Sequence, residues 1–173
     1  MRRWIALAPL AVLLALGVLF ATFGLHHDPH FNPDALVGQQ VPAPTLPALD
    51  TGAPTALSGI RAGQPVIIDF FASWCIPCVQ DAPALMAMKQ EGVRLIGVAY
   101  KDNPTASRAF LAEHGNPFAA VLVDRDGNTG VDFGVSGVPE TFAISADGKV
   151  LAKHSGPMLP GDAEALLEKV QAR

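Results

Sequence analysis

The chain has 173 residues, half of them hydrophobic, with 12 Lys and Arg against 16 Asp and Glu. That length argues for one domain plus appendages, and the apolar share is enough to bury a single α/β core. Setting aside Arg2 and Arg3 leaves 10 basic against 16 acidic residues, net −6, which argues against nucleic acid or an anionic membrane surface as a partner.

The stretch 1–25 decides the compartment. Arg2 and Arg3 precede an uncharged, mainly apolar run over 4–25, which as a helix spans roughly 33 Å, about a bilayer core. The arginines should stay cytoplasmic and send the rest of the chain outside. A cleaved signal peptide is the competing reading, but the apolar run exceeds the usual h-region and no A-x-A-like site closes it. A twin-arginine export signal is a weaker alternative. The expectation is an uncleaved anchor over 1–25, a linker over 26–47 and a folded domain over 48–173. His26, His27 and His30 lie in the linker among prolines. A solvated tether is favoured there over a metal site, because no cysteine or acid cluster joins them.

Residues 46–57 carry turn signals at Asp50, Thr51 and Gly52 and predict a short β-hairpin, with a loop over 58–65. Val66–Phe71 is apolar and rich in β-branched and aromatic residues, a buried strand. Ala72, Ser73 and Trp74 follow, and then Cys75, Ile76, Pro77 and Cys78 open an apolar-periodic helix over about 76–89. Pro77 is tolerable in a first turn, whereas Pro83 is interior and predicts a kink. A second, parallel strand is expected over 93–99. Asn103 caps a helix with Pro104 at its first position and Gly115 past its end. A third strand is expected over 118–123, with a turn at Asp126, Gly127 and Asn128; residues 128–136 carry no clear pattern. Strands over 141–145 and 149–154 are joined at Asp147 and Gly148, a hairpin signal. Ala163, Leu166, Leu167 and Val170 fall at helical spacing and predict a last amphipathic helix. The order, βαβ first and then a hairpin and helix, predicts an α/β sheet with helices on both faces.

A C-x-x-C placed where a strand hands over to a helix is a redox signature. The first sulfur lies at a helix N-terminus, where unpaired N–H groups and the macrodipole favour a thiolate. Structural zinc is the alternative, but it needs more ligands than these two cysteines, and His114 and His154 supply no paired spacing near them. A purely structural disulfide would close a loop too small to matter much to stability.

Beyond the cysteines, Asp69 lies six residues before Cys75, Trp74 precedes it, and Pro83 sits inside the following helix. Residues 134–142 read Gly-Val-Ser-Gly-Val-Pro-Glu-Thr-Phe. These features resemble thioredoxin. The Pro139-Glu140-Thr141 form, with Tyr100-Lys101-Asp102-Asn103 and Gly115-Asn116-Pro117-Phe118, is similar to the membrane-anchored thiol–disulfide proteins of cytochrome c maturation, the DsbE/CcmG family. The resemblance covers roughly residues 36–170 and implies a thioredoxin-like fold: a central mixed sheet flanked by helices, here with an N-terminal transmembrane helix.

Roles for single residues follow. Cys75 is expected to be the more exposed, attacking sulfur and Cys78 the more buried, resolving one. Asp69, mid-strand among apolar residues, should have a raised pKa and accept the proton of Cys78, unless its side chain points to solvent at the strand end. Asp81 and Glu140 are acids that the family places near the cysteines, where negative charge opposes a thiolate; taken alone, each would be an ordinary surface charge. Pro139 is expected to be cis. In the family this turn presents backbone groups to an extended substrate, here from Val138, with Glu140 supplying charge at the rim. Trp74 shields the sulfur or caps the core. Ser136 and Val138 stand where the family usually has Tyr and Ala.

The function implied is that of a reductant anchored in a bacterial inner membrane as a single-pass protein, its C-terminal domain in the periplasm. It would keep apocytochrome c, or a maturation factor bonded to it, reduced for haem attachment. A membrane thiol transporter would supply electrons. No metal or cofactor is implied beyond the redox-active Cys75–Cys78 disulfide. Two other readings stay open: a general extracytoplasmic thioredoxin-like oxidoreductase, and a docking module of the haem-attachment machinery whose cysteines are dispensable.

Overall fold

The computed structural model describes residues 2–20, 22, 36–61, 63–159 and 161–172, and within the first helix the side chains from Pro9 onward. It comprises two units, Met1–Phe31 and Asn32–Arg173. In the first unit the apolar run forms helix α1 (Arg2–Leu19), with Pro9 inside it. Leu10, Leu13, Leu14 and Phe20 are exposed. Among the described residues, no helix is long and apolar enough to cross a membrane. Residues 23–25 of the expected anchor, and the expected tether's His26, His27 and His30, lie outside the described residues.

The second unit opens with a small antiparallel hairpin, β1 (Thr45–Pro47) and β2 (Pro54–Ala56), as the turn residues predicted. Helix α2 (Leu57–Arg61) replaces the loop expected from residue 58. The cause is Leu57, which is fully buried and draws the following turn onto the sheet. Then come β3 (Val66–Phe71), α3 (Ile76–Gln90), β4 (Leu95–Tyr100), α4 (Pro104–His114), β5 (Ala120–Asp124), α5 (Asn128–Asp132), β6 (Glu140–Ile144), β7 (Val150–Ser155) and α6 (Asp162–Gln171). The unassigned stretch after Asp126 thus contains a short helix. It is capped through the buried Asp124, whose carboxylate accepts the N–H groups of Thr129 (3.2 Å) and Gly130 (2.8 Å).

The five-stranded sheet runs β5-β4-β3-β6-β7. β3, β4 and β5 are parallel, and β6 and β7 antiparallel. This is the mixed sheet expected. β3 is central and every residue in it is buried. Its alternating side chains divide the core in two. Ile67 and Phe71 pack with Leu85 and Met88 of α3, Phe110 of α4 and Leu166 of α6. Ile68 and Phe70 face the other way, with Leu57, Phe133 and Phe142. Phe71 stacks on Phe118 at 5.2 Å between ring centroids.

The folded unit starts ahead of the boundary expected at 48. Gly38 donates to Val150 O and Val41 to Gly148 O, both at 2.8 Å, and Val150 donates back to Gln39 O at 2.9 Å. β7 is the last strand of its sheet and would otherwise present unpaired backbone groups, and these residues cover it. At the opposite edge, Ala48 bridges Leu122, and Leu49 donates to Val121 O at 2.8 Å. Residues 36–47 are therefore part of the fold and not of a linker.

Gly97 lies in β4 directly under Phe118: a Cβ there would come within 2.8 Å of the ring. Gly97→Ala is expected to cost about 1–3 kcal/mol, as an overpacked core does. Gly59, in α2 with nothing within 4 Å of its would-be Cβ, should tolerate alanine or gain up to about 1 kcal/mol. Denaturant unfolding of both variants checks this; equal midpoints would remove Phe118 as the reason for Gly97.

Candidate active site

The site begins where β3 runs out. Beyond Phe71 the chain turns through Ala72, Ser73 and Trp74, and the N–H of Cys75 donates to Ala72 O at 3.1 Å. Cys75 is the N-cap of α3, in extended conformation (φ −90°, ψ 101°), and its Sγ accepts the N–H of Cys78 at 3.2 Å. Pro77 occupies the first turn, and the helix continues past Pro83 to Gln90. Cys75 and Cys78 are joined as a disulfide, Cα atoms 5.4 Å apart.

Residue exposure does not separate the two cysteines: Cys75 is 3 % exposed and Cys78 4 %. Both lie where α3 begins, joined to each other, and the neighbours Trp74 and Ile76 project outward, at 58 % and 78 %. What separates the cysteines is the cap. A sulfur in the N-cap position, receiving a helical N–H, is the one whose thiolate gains from the helix terminus. Trp74 is not a core cap; its Nε1 donates to Lys101 O at 3.4 Å, on the surface beside Cys75.

Asp69 sits at the middle of β3 and is 1 % exposed, so its side chain does not reach solvent. Thr141, its register partner on β6, donates Oγ1–H to Asp69 Oδ1 at 2.8 Å. Burial pushes the Asp69 pKa up to about 7; the Thr141 bond opposes this and the nearby Asp81 adds to it. Asp69 is thus an acid that exchanges its proton near neutrality.

The β3–β6 register pairs Phe70 with Glu140. It therefore sets the residues just before β6 beside the end of β3, where α3 begins. There the Val138–Pro139 bond is cis, as expected. Val138 packs against the core cluster that holds both cysteines.

Two acids are placed otherwise than their surroundings in sequence suggested. Asp81 is no surface charge: it is 1 % exposed, and its Oδ1 accepts the N–H of Met158 at 2.8 Å. Burial raises its pKa, against the Met158 bond and the proximity of His154. Glu140 is 2 % exposed, so it supplies no charge at a rim. Its Oε2 lies 2.8 Å from Nζ of Lys153, itself buried, and its Oε1 accepts from Ser136 Oγ at 2.6 Å and Ser136 N at 3.2 Å. The physical reason is sheet geometry. Phe142 faces Lys153 and Glu140 faces Ser155, so Glu140 and Lys153 are diagonal neighbours, within reach of a long side chain. Ser136 finds its use here, tying the turn before Pro139 to Glu140.

Asp102 carries no role in the sequence reading beyond its motif. It is 6 % exposed, and its carboxylate accepts from Ser73, two residues before Cys75. The acid directly ahead of a helix cap was the signal available. Among the described residues, no group of three or more His, Cys, Asp or Glu is placed to hold a metal ion.

The family model described as Redoxin matches residues 36–170. The thiol:disulfide interchange protein HelX of Rhodobacter capsulatus is 39 % identical over 76 % of this chain and 75 % of its own length. The thiol:disulfide interchange protein DsbE of Pseudomonas fluorescens biotype C is 38 % identical, over 90 % and 86 %. DsbE of Escherichia coli strain K12 is 34 % identical, over 92 % and 89 %. Among solved structures, a protein described as DsbE from Chlorobium tepidum superposes with a TM-score of 0.69 at 35 % identity, over 79 % of this chain and 96 % of that one.

The raised acid makes a stability prediction. A carboxyl whose pKa is higher folded than unfolded binds its proton more tightly in the native state. Stability therefore falls as pH rises from the unfolded value near 3.8 to about 7. Asp69→Asn should remove that fall, at about 1.4 kcal/mol per pH unit. The oxidised variant should be more stable than wild type at pH 8, and the difference should shrink toward pH 4. Unfolding midpoints across this range would decide it; a constant difference would mean that Asp69 is ionised throughout.

Proposed function

Since the chain belongs to the Redoxin family and is a thiol–disulfide oxidoreductase of the DsbE and HelX type, we propose that it works as a reductant in cytochrome c maturation. The observation that carries the mechanism is the pairing of a capped sulfur with a buried acid. Cys75 Sγ sits on the N–H of Cys78, and Asp69, with its pKa near 7, lies in the strand that leads to it.

The reduced protein holds a Cys75 thiolate and a Cys78 thiol. The thiolate attacks one sulfur of a substrate disulfide. A mixed disulfide forms, and the other substrate sulfur leaves as a thiolate and takes a proton from solvent. Asp69 accepts the proton of Cys78. The Cys78 thiolate then attacks Cys75 Sγ, the second substrate sulfur leaves, and the Cys75–Cys78 disulfide remains. Two electrons pass from the protein's dithiol to the substrate. Trp74, exposed beside Cys75, and the backbone at Val138 and Pro139 contact the substrate. Asp81 modulates the site as a buried acid whose pKa burial raises; any negative charge it carries opposes the thiolate. Glu140 has a different part, holding the Val138–Pro139 turn through Ser136 and Lys153.

The substrate class is the C-x-x-C-H disulfide of an apocytochrome c, or of a maturation factor bonded to it. The protein acts from the periplasmic side of the inner membrane, held by residues 1–25. Arg2 and Arg3 ahead of an apolar run support that placement. Anchoring raises its effective concentration beside membrane-bound partners. A membrane thiol transporter re-reduces it, because the outer compartment is oxidising.

Reduced full-length protein mixed with an oxidised C-x-x-C-H peptide should open the peptide disulfide. Cys75→Ser should stop the reaction, and Cys78→Ser should trap the mixed disulfide. Asp69→Asn should slow release near neutral pH and matter less at alkaline pH, where thiols ionise unaided. Reduction of small disulfides with no reaction of the peptide would sink the cytochrome reading and leave the exchange chemistry standing.

A further inference from the structure

The turn that delivers Cys75 to the helix has no ladder or helix to hold it, yet the cap depends on where it lies. Among the described residues, the side-chain hydrogen bonds of Ser73 and Trp74 go to one short segment after β4. The N–H of Ser73 donates to Asp102 Oδ2 and its Oγ–H to Asp102 Oδ1, both at 2.8 Å. Trp74 Nε1 reaches the carbonyl of the preceding Lys101. Two consecutive residues before the cysteine are thus held by two consecutive residues of another loop, 27 to 29 positions away in sequence.

That loop is itself pinned. Lys101 adopts φ +48°, a left-handed conformation that non-glycine residues take up only when the surroundings impose it. Its N–H donates to Asp124 O at 2.8 Å, and its side chain lies against Gly127. Asp102 also accepts the N–H of Asn103 at 2.8 Å on Oδ1 and the hydroxyl of Ser107 at 2.7 Å on Oδ2. Four donors therefore converge on two carboxylate oxygens. Burial would raise the Asp102 pKa, but the bonds from Ser107, Ser73 and Asn103 outweigh it and hold it below the usual carboxylate range. An amide fits poorly, since whichever oxygen its NH₂ replaces it would face a backbone N–H, of Ser73 or of Asn103.

We infer that Asp102 is a positioning residue for Cys75: its carboxylate fixes the Ser73–Trp74 turn so that the Cys75 sulfur lies on the Cys78 N–H. The inference builds on the assignment of Cys75 as the attacking sulfur. A thiolate at a helix terminus is favoured only while the N–H groups point at it. If the turn drifts, the protein still forms its disulfide and its sheet, but the thiolate loses its donor.

The test is the pH profile of alkylation of reduced full-length protein by iodoacetamide, with the modified cysteine identified by peptide mass. In wild type Cys75 should react first. Asp102→Asn should slow Cys75 by about tenfold at neutral pH and move its profile to higher pH, as loss of local N–H donation does. Ser73→Ala, which removes one of the two bonds and no charge, should slow it by about threefold. Ser107→Ala breaks a bond to the same carboxylate away from the cysteine turn; it should lower the melting temperature and leave the profile in place. Faster alkylation of Asp102→Asn would mean that its charge acts on the thiolate directly, and would overturn the inference. So would unmoved profiles despite lowered stability, or an equal shift in Ser107→Ala. Should Asp102→Asn fail to fold, Ser73→Ala alone decides, and an unchanged profile there is a refutation. First reaction at Cys78 in wild type would instead bring down the Cys75 assignment itself, and this inference with it.

Discussion

An ionisable carboxyl group lies at the centre of a strand that has no exposed residue. A carboxylate without donors there would cost several kcal/mol in lost solvation, so Asp69 needs the hydroxyl of Thr141, and that need ties β6 to β3 in a single register. A slip of one residue would turn Thr141 away and every other β6 side chain to the wrong face. With the register set, the residues before β6 can only arrive beside the end of β3. The cis Val138–Pro139 bond and the capped cysteine thus share one end of the sheet as a consequence of satisfying one buried acid.

The buried acids show how differently one functional group can be accommodated. Asp102 accepts four hydrogen bonds and is held below its ordinary range. Glu140 is matched by a buried Lys153. Among the described residues, Asp69 and Asp81 each have a single hydrogen-bond donor, and both are raised. The balance between desolvation and donors separates them, not the residue type. Acids with abundant donors serve as fixed struts. Asp69, raised to about 7, keeps a proton within reach at neutral pH.

Much of this architecture was legible in the sequence. Val66–Phe71 was a buried strand because its apolar run has no alternation. Asn103 followed by Pro104 marked a helix start because a side-chain acceptor and a missing N–H suit that position. The cysteine pair was found by spacing, and Asp69 by its place mid-strand among apolar residues together with the resemblance to thioredoxin. What escaped was set by partners distant in the chain. Residues 36–47 looked like a linker because nothing local says that the edge of β7 needs covering. Glu140 looked like a rim charge because Lys153 sits on another strand, and only the pairing of β6 with β7 makes them diagonal neighbours. Asp102 sat in a quoted motif, but its bond to Ser73 crosses 29 positions. Cys75 and Cys78 are both buried as residues, so residue exposure does not rank them.

The stretch over 37–49 has one more effect. By pairing with β7 through 37–41 and with β5 through Ala48 and Leu49, it occupies stretches of both outer strands of the sheet. A protein that meets partially unfolded chains runs the risk that such a chain will add itself as a further strand, or that two copies will zip edge to edge into an aggregate. Here both rims are partly closed by the protein's own backbone. At those stretches the backbone groups of the outer strands are already taken, and open-ended sheet growth is blocked there.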